Sequence, residues 1–181
     1  MSQNDGVAGR IPAGRDADEY DRLRRRVLWT MPSGLYVVGS RAEERRNAMT
    51  LNWATQVSMQ PKKLLAIAVL KGALTHDLIS EGSAFSLCIL DREDRAVVRK
   101  FTKPVEVDVE QRTLNGFTYA EAVTGVPILT IATAWLDCRL HQSVDVGDHT
   151  LFLGEVVDAG FNKAEDTPIL RMEDTRMNYG G

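Results

Sequence analysis

The chain has 181 residues, enough for one compact domain with a core of its own. Its net charge of −3 and pI near 5.7 argue against a nucleic-acid partner, which would favour a basic face. Hydrophobic residues make up 44% and charged residues 26%, as in soluble globular proteins, and no apolar run approaches the ~20 residues of a membrane-spanning helix, so no membrane partner is expected.

Residues 1–17 hold Gly, Asn, Asp, Ser and Pro without periodicity and are expected to be a disordered tail before a single domain over residues 18–181. The start of the chain lacks the apolar stretch of a secretory signal. The two cysteines, Cys88 and Cys138, lie far apart in apolar runs and read as buried free thiols, which suits a cytoplasmic protein. From Asp18 the pattern is helical: Tyr20, Leu23, Val27 and Met31 recur at spacings of three and four, Arg22, Arg24, Arg25 and Arg26 take the other face, and Pro32-Ser33-Gly34 stops the helix.

Strands dominate after that. They are predicted over residues 35–40, 46–52, 64–70 and 84–90, with a long pair over 128–141 and 149–159 flanking the turn Asp145-Val146-Gly147-Asp148. Two short helices interrupt: one over 75–81 with Thr75 as N-cap and Gly82 just past its end, the other after Asp91 through R-A-V-V-R-K-F, with Asp94 at the third helical position. Most connections are too short for parallel crossovers, so the sheet should be largely antiparallel, in a barrel or sandwich.

No metal site is expected, because His76, His141 and His149 do not converge with cysteines or carboxylates at ligand spacing. Nucleophile-elbow, P-loop and dinucleotide fingerprints are absent from the sequence. One stretch suggests an anion: Lys71-Gly72-Ala73-Leu74-Thr75-His76-Asp77 joins a strand to a helix N-terminus, where orphan N–H groups and the helix dipole favour phosphate. An ordinary capped helix fits the same residues.

The segment N-A-M-T-L-N-W-A-T-Q-V-S, residues 47–58, is too polar for a core strand and too bulky for a solvent loop. Together with M-P-S-G-L-Y-V-V at 31–38, K-G-A-L-T-H-D-L-I at 71–79, T-G-V-P-I-L at 124–129, A-W-L-D-C at 134–138 and G-D-H-T-L-F-L-G-E-V at 147–156, it resembles the flavin reductase-like family of FMN-binding split barrels, in family order. The resemblance implies a mainly β fold, an antiparallel split β-barrel with a few peripheral helices. It implies an NAD(P)H:flavin oxidoreductase that uses NADH or NADPH and hands reduced flavin to a partner monooxygenase. It also implies a homodimer, because a second subunit completes the flavin site in these barrels. The flavin, FMN or FAD, would lie along Asn47, Ala48, Met49, Thr50, Leu51 and Asn52, with its phosphate near Lys71, Thr75 and His76. His149, in G-D-H, would face the nicotinamide side as the catalytic candidate. Ala73 and Leu74 stand where the family often has Ser and Arg or Lys, which leaves FMN against FAD open. Trp53 either stacks near the cofactor or fills a subunit contact. The alternative reading is an FMN-binding electron-transfer protein without a nicotinamide site.

Overall fold

A computed structural model describes residues 9–177. In chain order the elements are α1 (Ala17–Leu28), β1 (Tyr36–Ala42), β2 (Arg45–Leu51), β3 (Ala54–Ser58), β4 (Leu64–Leu70), α2 (Leu74–Gly82), β5 (Ala84–Ile89), β6 (Val107–Asp108), β7 (Thr113–Leu114), β8 (Phe117–Glu121), β9 (Pro127–Leu129), β10 (Ala134–Asp145) and β11 (His149–Phe161). Seven strands form one antiparallel sheet in the order β2-β1-β5-β10-β11-β4-β3, and β6-β7-β8-β9 form a small second sheet. The large sheet is not closed, and the architecture is the split barrel expected from the sequence.

β2 and β3 are two halves of one stretch of chain. The first half pairs with β1 and the second with β4, and the changeover takes place at Asn52 and Trp53. This leaves β2 at one end of the sheet order and β3 at the other, each with one unpaired side. Alternation along the strands sorts side chains into two cores. Val38, Leu87, Ile67, Phe152 and Phe85 fill the barrel, with Ile79 of α2 plugging it. Val37, Cys88, Phe101, Leu114, Ile128 and Leu129 pack between the barrel wall and the small sheet. Both cysteines are free and buried, and burial pushes their thiols up, Cys88 to about 11 and Cys138 to about 12.

Several local expectations are corrected. The strand predicted over 128–141 is two, β9 and β10, because the chain turns at residues 130–133. The helix expected after Asp91 is a pair of 3-10 turns, Arg92–Asp94 and Val98–Phe101; burial of Val98 and Phe101 sets their shape, and Asp91 caps the first by accepting from the Glu93 N–H. α2 begins at Leu74 with Ala73 as N-cap, so Thr75 lies inside the helix. Gly82 is its last residue, and Ser83 takes the left-handed cap at φ 54°. A Cβ on Gly82 would lie 1.8 Å from the Arg41 carbonyl oxygen, so glycine there lets α2 sit on β1.

α1 starts at Ala17, capped by Asp16, whose side chain accepts from the Glu19 N–H. Of the expected tail, residues 1–8 lie outside the described residues, and so do residues 178–181 of the C-terminal R-M-N-Y-G-G. α1 buries none of its residues; Val27 and Leu28 are exposed, as are Trp29 and Met31 just beyond it. At the other end of the chain, the segment around Ile169–Met172 threads between two others. Leu35 N–H donates to Leu170 O, Leu170 N–H to Leu90 O, and Met172 N–H to Ser33 O.

Candidate functional site

The segment N-A-M-T-L-N is an edge strand whose side chains are already engaged by the protein. Asn47 is buried, and its Nδ2–H donates to Thr75 Oγ1 at 2.9 Å. Ala48 packs in the outer core, while Met49 and Leu51 pack in the barrel core. Thr50 donates its hydroxyl to the Val98 carbonyl. Asn52 is buried, and its carbonyl accepts from Ala54 N–H at 3.1 Å. What β2 has left is backbone: along its side away from β1, alternate N–H and C=O groups have no strand partner.

The Asn47–Thr75 bond ties this edge to α2. Thr75 is fully buried, so its hydroxyl is a strut between strand and helix rather than a surface group. Ala73 caps α2 without a side-chain hydrogen bond, leaving the first-turn N–H groups unsatisfied by any cap. Gly72 just before it has φ +82°, and the space where a Cβ would stand is open. Lys71 N–H donates to Asp148 O at 2.9 Å, and its Nζ lies 2.8 Å from both Asp145 carboxylate oxygens. His76 Nε2 lies 2.9 Å from Thr150 Oγ1, and its ring leans on Phe152. The loop before α2 and the turn before β11 are therefore laced together through residues some 74 positions apart.

That lacing places His149. It opens β11 opposite Leu70, and only 6% of it is exposed. Its Nδ1 lies 2.8 Å from Asp148 Oδ1, and its ring meets Trp53 at a centroid distance of 4.9 Å. An ionised carboxylate only accepts, so Nδ1–H donates to Asp148. The hydrogen bond from His149 holds the Asp148 carboxyl below its ordinary range, and the bond from Lys71 does the same for Asp145.

Beside Trp53 opens a cleft of about 890 Å³. Its floor is the outer face of β3, β4 and β11, with Thr55, Ala66, Ala68 and Leu151; its walls are residues 28–34 and the C-terminal stretch from Met172 to Met177. The volume lies within the range of small-molecule and cofactor sites. Trp53 thus links cleft and His149. Sequence reasoning missed Asp145, Asp148 and Thr150 as supports, and Trp29 and Met177 as cleft walls. The signal available for the first two was D-V-G-D-H itself, a tight acidic turn delivering a histidine. Among the described residues, no group of three His, Cys, Asp or Glu side chains converges as a metal site would need.

Comparison with known proteins decides the family. The model of the flavin reductase like domain matches residues 28–180. The chain belongs to that family. This flavin reductase-like chain is 34% identical over 152 residues to the NADH-dependent FAD reductase of Streptomyces globisporus, covering 82% of this chain and 81% of the relative. It is 29% identical to the NADH-dependent flavin reductase StyB of Pseudomonas fluorescens, covering 77% and 78%. Among solved structures, Streptomyces globisporus NADH:FAD oxidoreductase SgcE6 in complex with NAD and FAD fragments superposes with a TM-score of 0.73 at 28% identity, covering 92% of this chain and 95% of that one. BorF, the flavin reductase component of a bacterial two-component tryptophan halogenase, superposes at 0.68 and 28%, covering 79% and 88%.

The residues present fit a flavin. An isoalloxazine edge carries alternating hydrogen-bond donors and acceptors, and β2 offers an unpaired backbone edge of the same kind. A phosphate asks for orphan N–H groups, and the uncapped start of α2 supplies them next to the open side of Gly72.

Proposed function

We propose that the chain is an NAD(P)H:flavin oxidoreductase that reduces FMN or FAD and releases reduced flavin to an oxygenase-class partner. The observation that carries this reading is the unpaired edge of β2 running, through the Asn47–Thr75 strut, to the uncapped N-terminus of α2. In this reading the backbone of Asn47, Ala48, Met49, Thr50, Leu51 and Asn52 holds the isoalloxazine edge. The N–H groups of Leu74, Thr75 and His76 hold the phosphate. Lys71 adds charge from its place beside Asp145, and its 38% exposed side chain leaves room for a second partner.

A bound flavin supplies the acceptor for the two electrons of the reduced nicotinamide. The chain's own residues orient and exclude water. Trp53 gives the cleft an apolar wall beside His149. Asp148 keeps the His149 proton on Nδ1 and the ring in place, so the imidazole is presented to the nicotinamide side in one tautomer. No side chain has to remove a proton for electron transfer from the nicotinamide.

A homodimer belongs to the same reading. Val27, Leu28, Met31, Val57 and Met59 are exposed, with Leu28 and Met31 on the cleft wall, and a second copy would cover these apolar side chains. A cytoplasmic setting is supported by the two buried free thiols. The test is anaerobic mixing of the protein with FMN or FAD and then NADH or NADPH. Saturable flavin binding and bleaching of the visible flavin band support the reading. Flavin bound but never bleached by either nucleotide would make the chain an electron-transfer protein, and no binding of either flavin would end the proposal.

A further inference from the structure

α1 carries four arginines, and they are not equivalent. Asp21 holds Arg24 at 2.6 Å and Arg25 at 3.3 Å. Arg22 and Arg26, one turn apart, are exposed and have no ion-pair or hydrogen-bond partner among the described residues. With Glu19, Arg25 and Trp29 they line a groove of about 430 Å³. Its lining holds three arginines against one glutamate, a net of +2, on a chain whose overall charge is −3. The helix dipole accommodates Arg26 in the last turn but not Arg22 in mid-helix, and like charges at this spacing repel one another. Trp29 lines this groove and also the wall of the large cleft, so the two depressions share one side chain.

We infer that this groove holds the adenosine-phosphate arm of a dinucleotide whose other end reacts in the cleft. The inference rests on the reductase reading. In that reading the start of α2 takes the one phosphate of FMN. A dinucleotide, whether FAD or NAD(P)H, brings a further phosphate and an adenine that need a second place. Two unpaired guanidinium forks match phosphate oxygens, and a half-exposed indole offers a face on which adenine stacks. Shared chemistry defines the site, and either dinucleotide can present it.

The test uses the double substitution Arg22→Gln/Arg26→Gln, with Trp29→Leu as an independent probe of the stacking face. ADP is titrated by calorimetry into wild type and variants, and FMN in parallel. Wild type is expected to bind ADP, the double variant at least tenfold more weakly, and FMN affinity to stay the same in both. Steady-state kinetics then assign the arm. A rise in KM for FAD with KM for FMN unchanged marks the flavin dinucleotide; a rise in KM for NADH or NADPH with FMN as acceptor marks the nicotinamide dinucleotide. No ADP binding by wild type, or equal binding by the double variant, overturns the inference. So does a change in sedimentation of the double variant with ADP binding intact, which would make the arginines a subunit contact. Binding of neither FMN nor FAD by wild type would instead count against the reductase reading, so the two failures are distinguishable.

Discussion

Thr75→Val tests how the site is held together. The substitution keeps the side-chain shape and removes the only acceptor shown for Asn47 Nδ2–H, at 2.9 Å, in a place where Thr75 is fully buried and Asn47 only 9% exposed. A buried donor left unpaired costs about 1–3 kcal/mol, more than the net worth of the bond itself. For a domain of this size each kcal/mol lowers Tm by roughly 2–4 °C, so a fall of about 2–12 °C is expected in a reversible thermal melt. Adding Asn47→Leu removes the stranded donor as well, and the pair should recover much of the loss, since replacing both partners by apolar groups is close to neutral. FMN affinity should move by no more than a factor of a few in Thr75→Val, because the ligand contacts proposed there are backbone N–H groups. A Tm within about 1 °C of wild type would show that the Asn47 amide has another partner and that the strand–helix strut is not what positions β2. A large loss of FMN affinity with an unchanged melt would place the hydroxyl on the ligand instead.

His149→Ala should retain fold and flavin while kcat/KM for NAD(P)H falls roughly ten- to a hundredfold, about 1.4–2.7 kcal/mol, measured by steady-state kinetics at saturating flavin. Unchanged kinetics would return His149 to a structural role against Trp53. Gly82→Ala puts a Cβ 1.8 Å from the Arg41 carbonyl, a backbone atom that cannot swing away. Chemical denaturation should show a loss of about 3 kcal/mol, at the upper end for overpacking. Acid should weaken the fold at the laced turn and at the Asp91 cap: the carboxyls of Asp145 and Asp148 in the turn, and of Asp91 beside Lys163, are all held below their ordinary value of 3.8. Groups with lowered native values contribute stability that is complete above that value and is lost as pH falls through the native values. Denaturation midpoints should therefore hold steady above about pH 5 and drop below pH 4, and Asp145→Asn should flatten part of that drop.

Much of the barrel could be read from local pattern. L-L-A-I-A-V-L gave β4 to the residue, and D-V-G-D marked the turn of the longest hairpin. The readings that failed did so where burial overrode local preference. R-A-V-V-R-K-F has helical composition, yet Val98 and Phe101 are drawn into the outer core on a single short 3-10 turn. Ile131 and Ala132 continue an apolar run, which hides the turn that separates β9 from β10. For the site, the right segments were legible but not the bonds between them. Asn47 with Thr75, His76 with Thr150, and Lys71 with Asp145 are separated by 28, 74 and 74 residues, and no spacing rule pairs residues so far apart. The apolar stripe of α1 was legible too, but only Tyr20 is half-buried, under Arg15 and Arg24, while Leu23, Val27 and Met31 stay exposed.

The changeover at Asn52 and Trp53 has a mechanical consequence. One covalent strand serves both ends of the seven-stranded sheet, so the sheet is a belt buckled by its own chain. Two extended residues span at most about 7 Å, and the buckle cannot lengthen further without stripping hydrogen bonds from β1 or β4. The girth of the barrel is thereby set, and a planar guest cannot enter by spreading the staves. Give has to come from parts outside the belt: α1, the Gly72 bend, the acidic turn before His149, and the C-terminal stretch that walls the cleft. Those are the places where amide exchange should change when a guest arrives, while β1, β5 and β10 stay silent.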